Sequence, residues 1–164
     1  MDSSTHKKVV VRQRQAGLVS GYLGTAALNA ATEIEVLTPE GQALRLGTDQ
    51  VAAIYFVADW SASAGLLASP PRRTANRLPG VWIRIHSRGR QTIEGLLASD
   101  LLEIAQGLWL SPLREDSEWQ RAYVPRAAME QVQIVEVVHS PRRRRQTEAR
   151  HQIGLFGPEG EPAA

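Results

Sequence analysis

The sequence predicts an all-β protein in which one five-strand unit is used twice, and three observations predict it. Apolar and polar residues alternate at period two through much of the chain, as half-buried strands require. Short apolar runs are separated by Gly, Pro and Asp turn residues at hairpin spacing. The order of strand, basic turn, glycine-interrupted strand, hairpin and closing strand then occurs a second time.

In the first unit, Val9-Val10-Val11 leads into Arg12-Gln13-Arg14, and Ala16-Gly17 turns the chain. Leu18 to Leu23 follows as a strand bent at Gly21. "EIEVLTPEGQALRL" reads as a hairpin, with Ile34 and Val36 alternating with charge, Pro39-Glu40-Gly41 at the turn, and Leu44 and Leu46 resuming the alternation. "VAAIYFVADW" closes the unit with a strand.

The second unit repeats that order. Val81, Ile83 and Ile85 face one way, and Trp82, Arg84 and His86 the other. Arg88-Gly89-Arg90 makes the turn, and Gly95 interrupts the next strand where Gly21 interrupts its own. "GLWLSP" and "WQRAYVP" form a hairpin, in which Trp109 and Trp119 are expected to pack. In "MEQVQIVEVV", Val132 and Ile134, with Glu136 next in the alternation, are expected to face opposite to Gln131, Gln133 and Val135. The closing segments align without a gap, setting Leu46 over Val124, Val51 over Met129, Ile54 over Val132 and Phe56 over Ile134. The chain is therefore divided into a first unit over 7–59, a Ser/Ala/Pro-rich linker over 60–77, a second unit over 78–138 and a basic tail over 139–164. The tail, with its charge block and Gly/Pro/Glu ending, cannot bury a core and is expected to be mostly disordered.

Five short bent strands with a glycine-kinked second strand resemble the Sm-like barrel, a small SH3-type fold, and "VAAIYFVADW" resembles the end of short bacterial domains of unknown function. That resemblance implies two tandem five-stranded Sm-like or SH3-like barrels with a disordered basic tail. RNA-binding Sm proteins carry an Asp and an Asn after the glycine strand and an Arg-Gly pair in the last hairpin. Here Asp100 is followed by no Asn, Asn29 has no nearby Asp, and the hairpin reads Val124-Pro125-Arg126. The resemblance therefore does not carry RNA binding with it.

Composition excludes several functions. The chain of 164 residues has no cysteine, so thiolate nucleophiles, thiolate metal sites and disulfides are ruled out. His6, His86, His139 and His151 are scattered, and no metal-ligand spacing, nucleophile elbow or phosphate loop occurs. No enzyme activity, cofactor or metal is expected. With no apolar run that would span a bilayer or serve as a signal, a bacterial cytoplasmic protein without membrane contact is expected.

The leading expectation is a non-enzymatic interaction or adaptor module, with a protein partner ranked ahead of nucleic acid and self-association open. The nucleic-acid alternative uses Arg12, Arg14, Trp82, Arg84, Arg88 and Arg90 as one strand face, joined by Arg142, Arg143, Arg144 and Arg145 in the tail. The competing reading of those arginines is ordinary solvated strand surface. A third reading rests on Gln152, Ile153, Leu155 and Phe156, which resemble the bacterial sliding-clamp-binding pentapeptide. In that motif the glutamine meets a pocket rim and the Leu-Phe pair fills an apolar pocket. Gly154 departs from the favoured residue, and the alternative is an extra strand folding back onto a barrel.

Overall fold

β-branched and aromatic residues fit a pleated, half-buried surface, and the runs rich in them are the strands of a computed structural model that describes residues 6–15, 17–24, 28, 32–61, 66, 78–98 and 104–139. The first five strands are β1 His6–Gln13, β2 Leu18–Gly24, β3 Glu33–Leu37, β4 Ala43–Gly47 and β5 Val51–Val57. The second five are β6 Gly80–Ser87, β7 Thr92–Leu97, β8 Gly107–Ser111, β9 Trp119–Pro125 and β10 Met129–Val138. The described residues hold no α-helix. All-β is the correct class.

The strands form one antiparallel sheet in the order β10-β6-β7-β8-β9-β5-β1-β2-β3-β4. This corrects the expectation of two separate barrels, because pairing of β5 with β9 joins the halves edge to edge. Within each half the closing strand returns to pair with the opening one, so both halves read closing-first-second-third-fourth. The registers agree as well. Val9 is opposite Phe56 and Gly21, while Ile83 is opposite Ile134 and Gly95. Ile34 faces Leu46 as Leu108 faces Val124. The gap-free alignment of the closing segments is thus reproduced by strand pairing.

The paired glycines have one cause. A Cβ at Gly21 would stand 2.6 Å from the Leu37 carbonyl oxygen, and one at Gly95 would stand 2.9 Å from that of Ser111. Each glycine lets the second strand bend closely over the end of the third. A short turn then joins the fourth strand to the fifth, at Thr48–Gln50 in one half and as a 3₁₀ turn, Arg126–Ala128, in the other.

β5 explains how one sheet holds two cores. All seven of its side chains are buried. Ile54 and Phe56 enter a first core with Val9, Val11, Leu23, Ile34 and Val36. Ala53, Tyr55 and Val57, with Val10 from β1, enter a second core with Ile83, Ile85, Leu108, Leu110 and Val124. Burying one aliphatic side chain contributes about 1.5–3 kcal/mol, whereas an exposed ion pair such as Glu35–Arg45 contributes about 0–1 kcal/mol. Apolar burial therefore fastens the halves together. Trp60 and Leu66, from the segment expected as linker, also pack against the second core.

β10 departs from the expected alternation. Its half-buried positions are Val132, Val135 and Val138, because the register shifts between Ile134 and Glu136. Ile134 is 56% exposed. The bulge at this sheet edge falls at Val135, just after Ile134, and it is Val135 whose placement departs from strict alternation.

Candidate functional site

The expected arginine face is divided by the fold. β1 and β6 are five positions apart in the sheet, and the turns that follow them meet. Gln91 Nε2 donates to the Gln13 carbonyl at 3.3 Å and to that of Arg14 at 3.5 Å. Arg14 donates to the Asp49 carbonyl at 2.7 Å, while Arg88 and Arg90 are exposed in the facing turn. Arg12 is half-buried and hydrogen-bonds Tyr55, whose phenol is raised above its ordinary range by burial, an effect partly opposed by the Arg12 charge. On β6, Arg84 is paired with Glu94 at 2.5 Å, and Trp82 is half-buried and opposite Glu136. Carboxylates on that face offset the charge a phosphate would meet. Arg142 to Arg145 and the Gln152, Ile153, Leu155 and Phe156 motif lie outside the described residues.

A different cluster forms where the halves join. Register sets Lys8 beside Tyr22 on β2, Val9 beside Phe56, and Phe56 beside Arg121 on β9. The resulting groove of about 410 Å³ is lined by His6, Lys7, Lys8, Tyr22, Phe56, Val57, Trp109, Gln120 and Arg121. Among the described residues, none that lines it is acidic. Its volume falls in the range of small-ligand sites.

The aromatic residues are held by packing. Trp109 lies 5.5 Å from Phe56 and 5.1 Å from Tyr123, centroid to centroid, at the end of the first core. The Arg121 guanidinium sits 4.6 Å from the Trp109 ring centroid, within cation–π range. At the other rim Lys8 lies 5.2 Å over Trp60, which meets Tyr22 edge-on and donates to the Gly21 carbonyl at 3.3 Å. Nearby Asp59 accepts a hydrogen bond from the Ser61 backbone N–H at 2.9 Å. Bonds from Ser61 hold its carboxyl below the usual range, with the Lys8 charge a smaller contribution.

The groove was missed because its residues are remote in sequence. Lys7 and Lys8 stand just before Val9-Val10-Val11 in the first unit, and Arg121 lies in "WQRAYVP" of the second. The available signal was the unbroken apolar run of β5, which marks a strand buried on both faces and hence a neighbour beyond its own unit.

A second cavity, of about 330 Å³, lies on the other side of the junction and includes Leu28, Ile54, Tyr123 and Arg126 in its lining. Burial raises the Tyr123 phenol above its ordinary range. Among the described residues no three His, Asp or Glu side chains are grouped to hold a metal. Nor is any helix there long and apolar enough to cross a membrane.

One family model, described as a family of unknown function (DUF6982), matches residues 5–136. The chain belongs to that family. The DUF6982 match runs through both halves and the junction between them, so it includes the described residues that line the groove. Comparison with curated proteins and with solved structures found no match.

Proposed function

We propose that this DUF6982 protein is a non-enzymatic binding module of the bacterial cytoplasm that takes a single-stranded nucleic acid in the groove at the junction of its halves. The observation that carries this reading is the groove lining: cationic Lys7, Lys8 and Arg121 and aromatic Tyr22, Phe56 and Trp109, without a carboxylate among them. Single strands are held by that combination, with cations tracking phosphates and flat side chains or guanidinium planes receiving bases. The Arg121–Trp109 stack offers both at one point. Each half is read as an opened Sm-like unit, supported by the shared strand order and by the glycine bends at Gly21 and Gly95.

Binding of labelled single-stranded RNA and DNA, followed by fluorescence anisotropy across a salt series, tests the proposal. With Lys7, Lys8 and Arg121 each meeting a phosphate, log K falls against log salt with a slope of about −2, so a fourfold rise in salt weakens binding about 20-fold. Arg121→Ala reduces that slope by about 0.7, while Arg88→Ala in the remote turn leaves affinity unchanged. Absence of salt-sensitive binding overturns the reading. An adaptor role toward protein is the rival, and the tail motif makes a sliding clamp its first candidate. Retention of a clamp by the full chain but not by one ending at Val138, with no nucleic-acid binding, would favour it.

A further inference from the structure

The two strands that join the halves have counterparts that pair with no further strand among the described residues. By register, β10 in the second half corresponds to β5 in the first, and β4 in the first corresponds to β9 in the second. β10 and β4 are the two ends of the sheet. Among the described residues, the exposed large hydrophobic side chains are Leu37 at 43%, Leu44 at 38%, Ile134 at 56% and Val137 at 51%. All four lie in the ribbons at those two ends, on β3, β4 and β10.

We infer that β10 of one copy pairs antiparallel with β4 of another, so that the β5–β9 junction is repeated between molecules, head to tail. The occupant of each open edge is a second copy of this chain, because the chain already carries both sides of a contact that it makes once internally. Inside the chain, Ile54 is opposite Tyr123, Tyr55 opposite Ala122 and Phe56 opposite Arg121. Carried to the counterparts, that register sets Val132 opposite Arg45, Gln133 opposite Leu44 and Ile134 opposite Ala43. Pairing also satisfies the backbone groups that an edge strand leaves open.

The contact between copies is weaker than the internal one. Trp109 and Tyr123 line the internal junction, but their counterparts are Glu35 and Arg45, an exposed ion pair at 3.4 Å. On β10, Gln131 and Gln133 stand where Ala53 and Tyr55 are buried on β5. Association therefore depends on concentration. A head-to-tail contact uses two different surfaces and closes into a ring or continues as a filament, depending on the rotation per copy.

The absence of native cysteine gives a clean background for the test. The full chain is prepared with Leu44→Cys alone, with Gln133→Cys alone and with both, and each is oxidised and run on a non-reducing gel. The double variant is expected to give covalent multimers that are lost in each single variant. Light scattering of the unmodified chain is expected to show a mass above 18.0 kDa that rises with concentration, and Ile134→Lys is expected to return it to the monomer. The three substituted positions, Leu44, Gln133 and Ile134, are exposed on the open edges, and circular dichroism checks that each variant is folded. A double variant that stays monomeric overturns the inference. So does a single variant that cross-links as well as the double one, since that would mean like edges pairing with like.

Discussion

Tyr123 lies across Gly107, with its hydroxyl donating to the Gln106 carbonyl at 2.8 Å. A Cβ on Gly107 would stand 2.5 Å from the Tyr123 hydroxyl oxygen, and the glycine has φ +150°. Both the space and the backbone therefore require glycine. The same ring packs on Trp109 and reaches the first core, so this position sets how the second half meets the first. Gly107→Ala is expected to cost about 2 kcal/mol and to lower the melting temperature by about 4–8 °C. Gly41 makes the comparison, with φ +84° and nothing within 4 Å of its missing Cβ. Gly41→Ala meets only the backbone cost, about 1 kcal/mol. Calorimetry showing equal losses for the two would mean that the Tyr123 contact does not constrain this site.

Among the elements, β5 and β10 show what position in the sheet does to related strands. Both close their halves, yet β5 is buried at every position and β10 is exposed along most of its length. Ile54→Ala is expected to cost about 2–5 kcal/mol and to lower hydrogen-exchange protection in both halves, because β5 walls both cores. Val132→Ala, at the matching position on β10, opens a half-buried site and should loosen only the second half. Period-two patterning made the strands legible, and the glycine bends at Gly21 and Gly95 were legible because a close backbone approach has few chemical solutions. Pairing of β5 with β9 was not legible. It is set by a strand joining a partner more than sixty residues away in the chain, and alternation within either segment carries no information about which partner that is. The half-buried placement of Val135 was not legible for a related reason, since a bulge changes which residues share a face without changing composition.

At the scale of the whole molecule, the groove belongs to neither half. β1, β2 and β5 supply Lys7, Lys8, Tyr22, Phe56 and Val57, and β8 and β9 supply Trp109, Gln120 and Arg121. A reading that treats the halves as separate bodies finds single cations and buried rings, and no site. What joins those bodies is the seam of β5 against β9, with Val10, Ala53, Tyr55 and Val57 sunk into the neighbouring core. The peptide connection between Ser61 and Leu78 is therefore not what keeps them together. A protease site introduced there and cut should leave a nicked protein whose two polypeptides co-migrate through gel filtration and separate only in denaturant, and the two pieces made in one cell should reconstitute the whole.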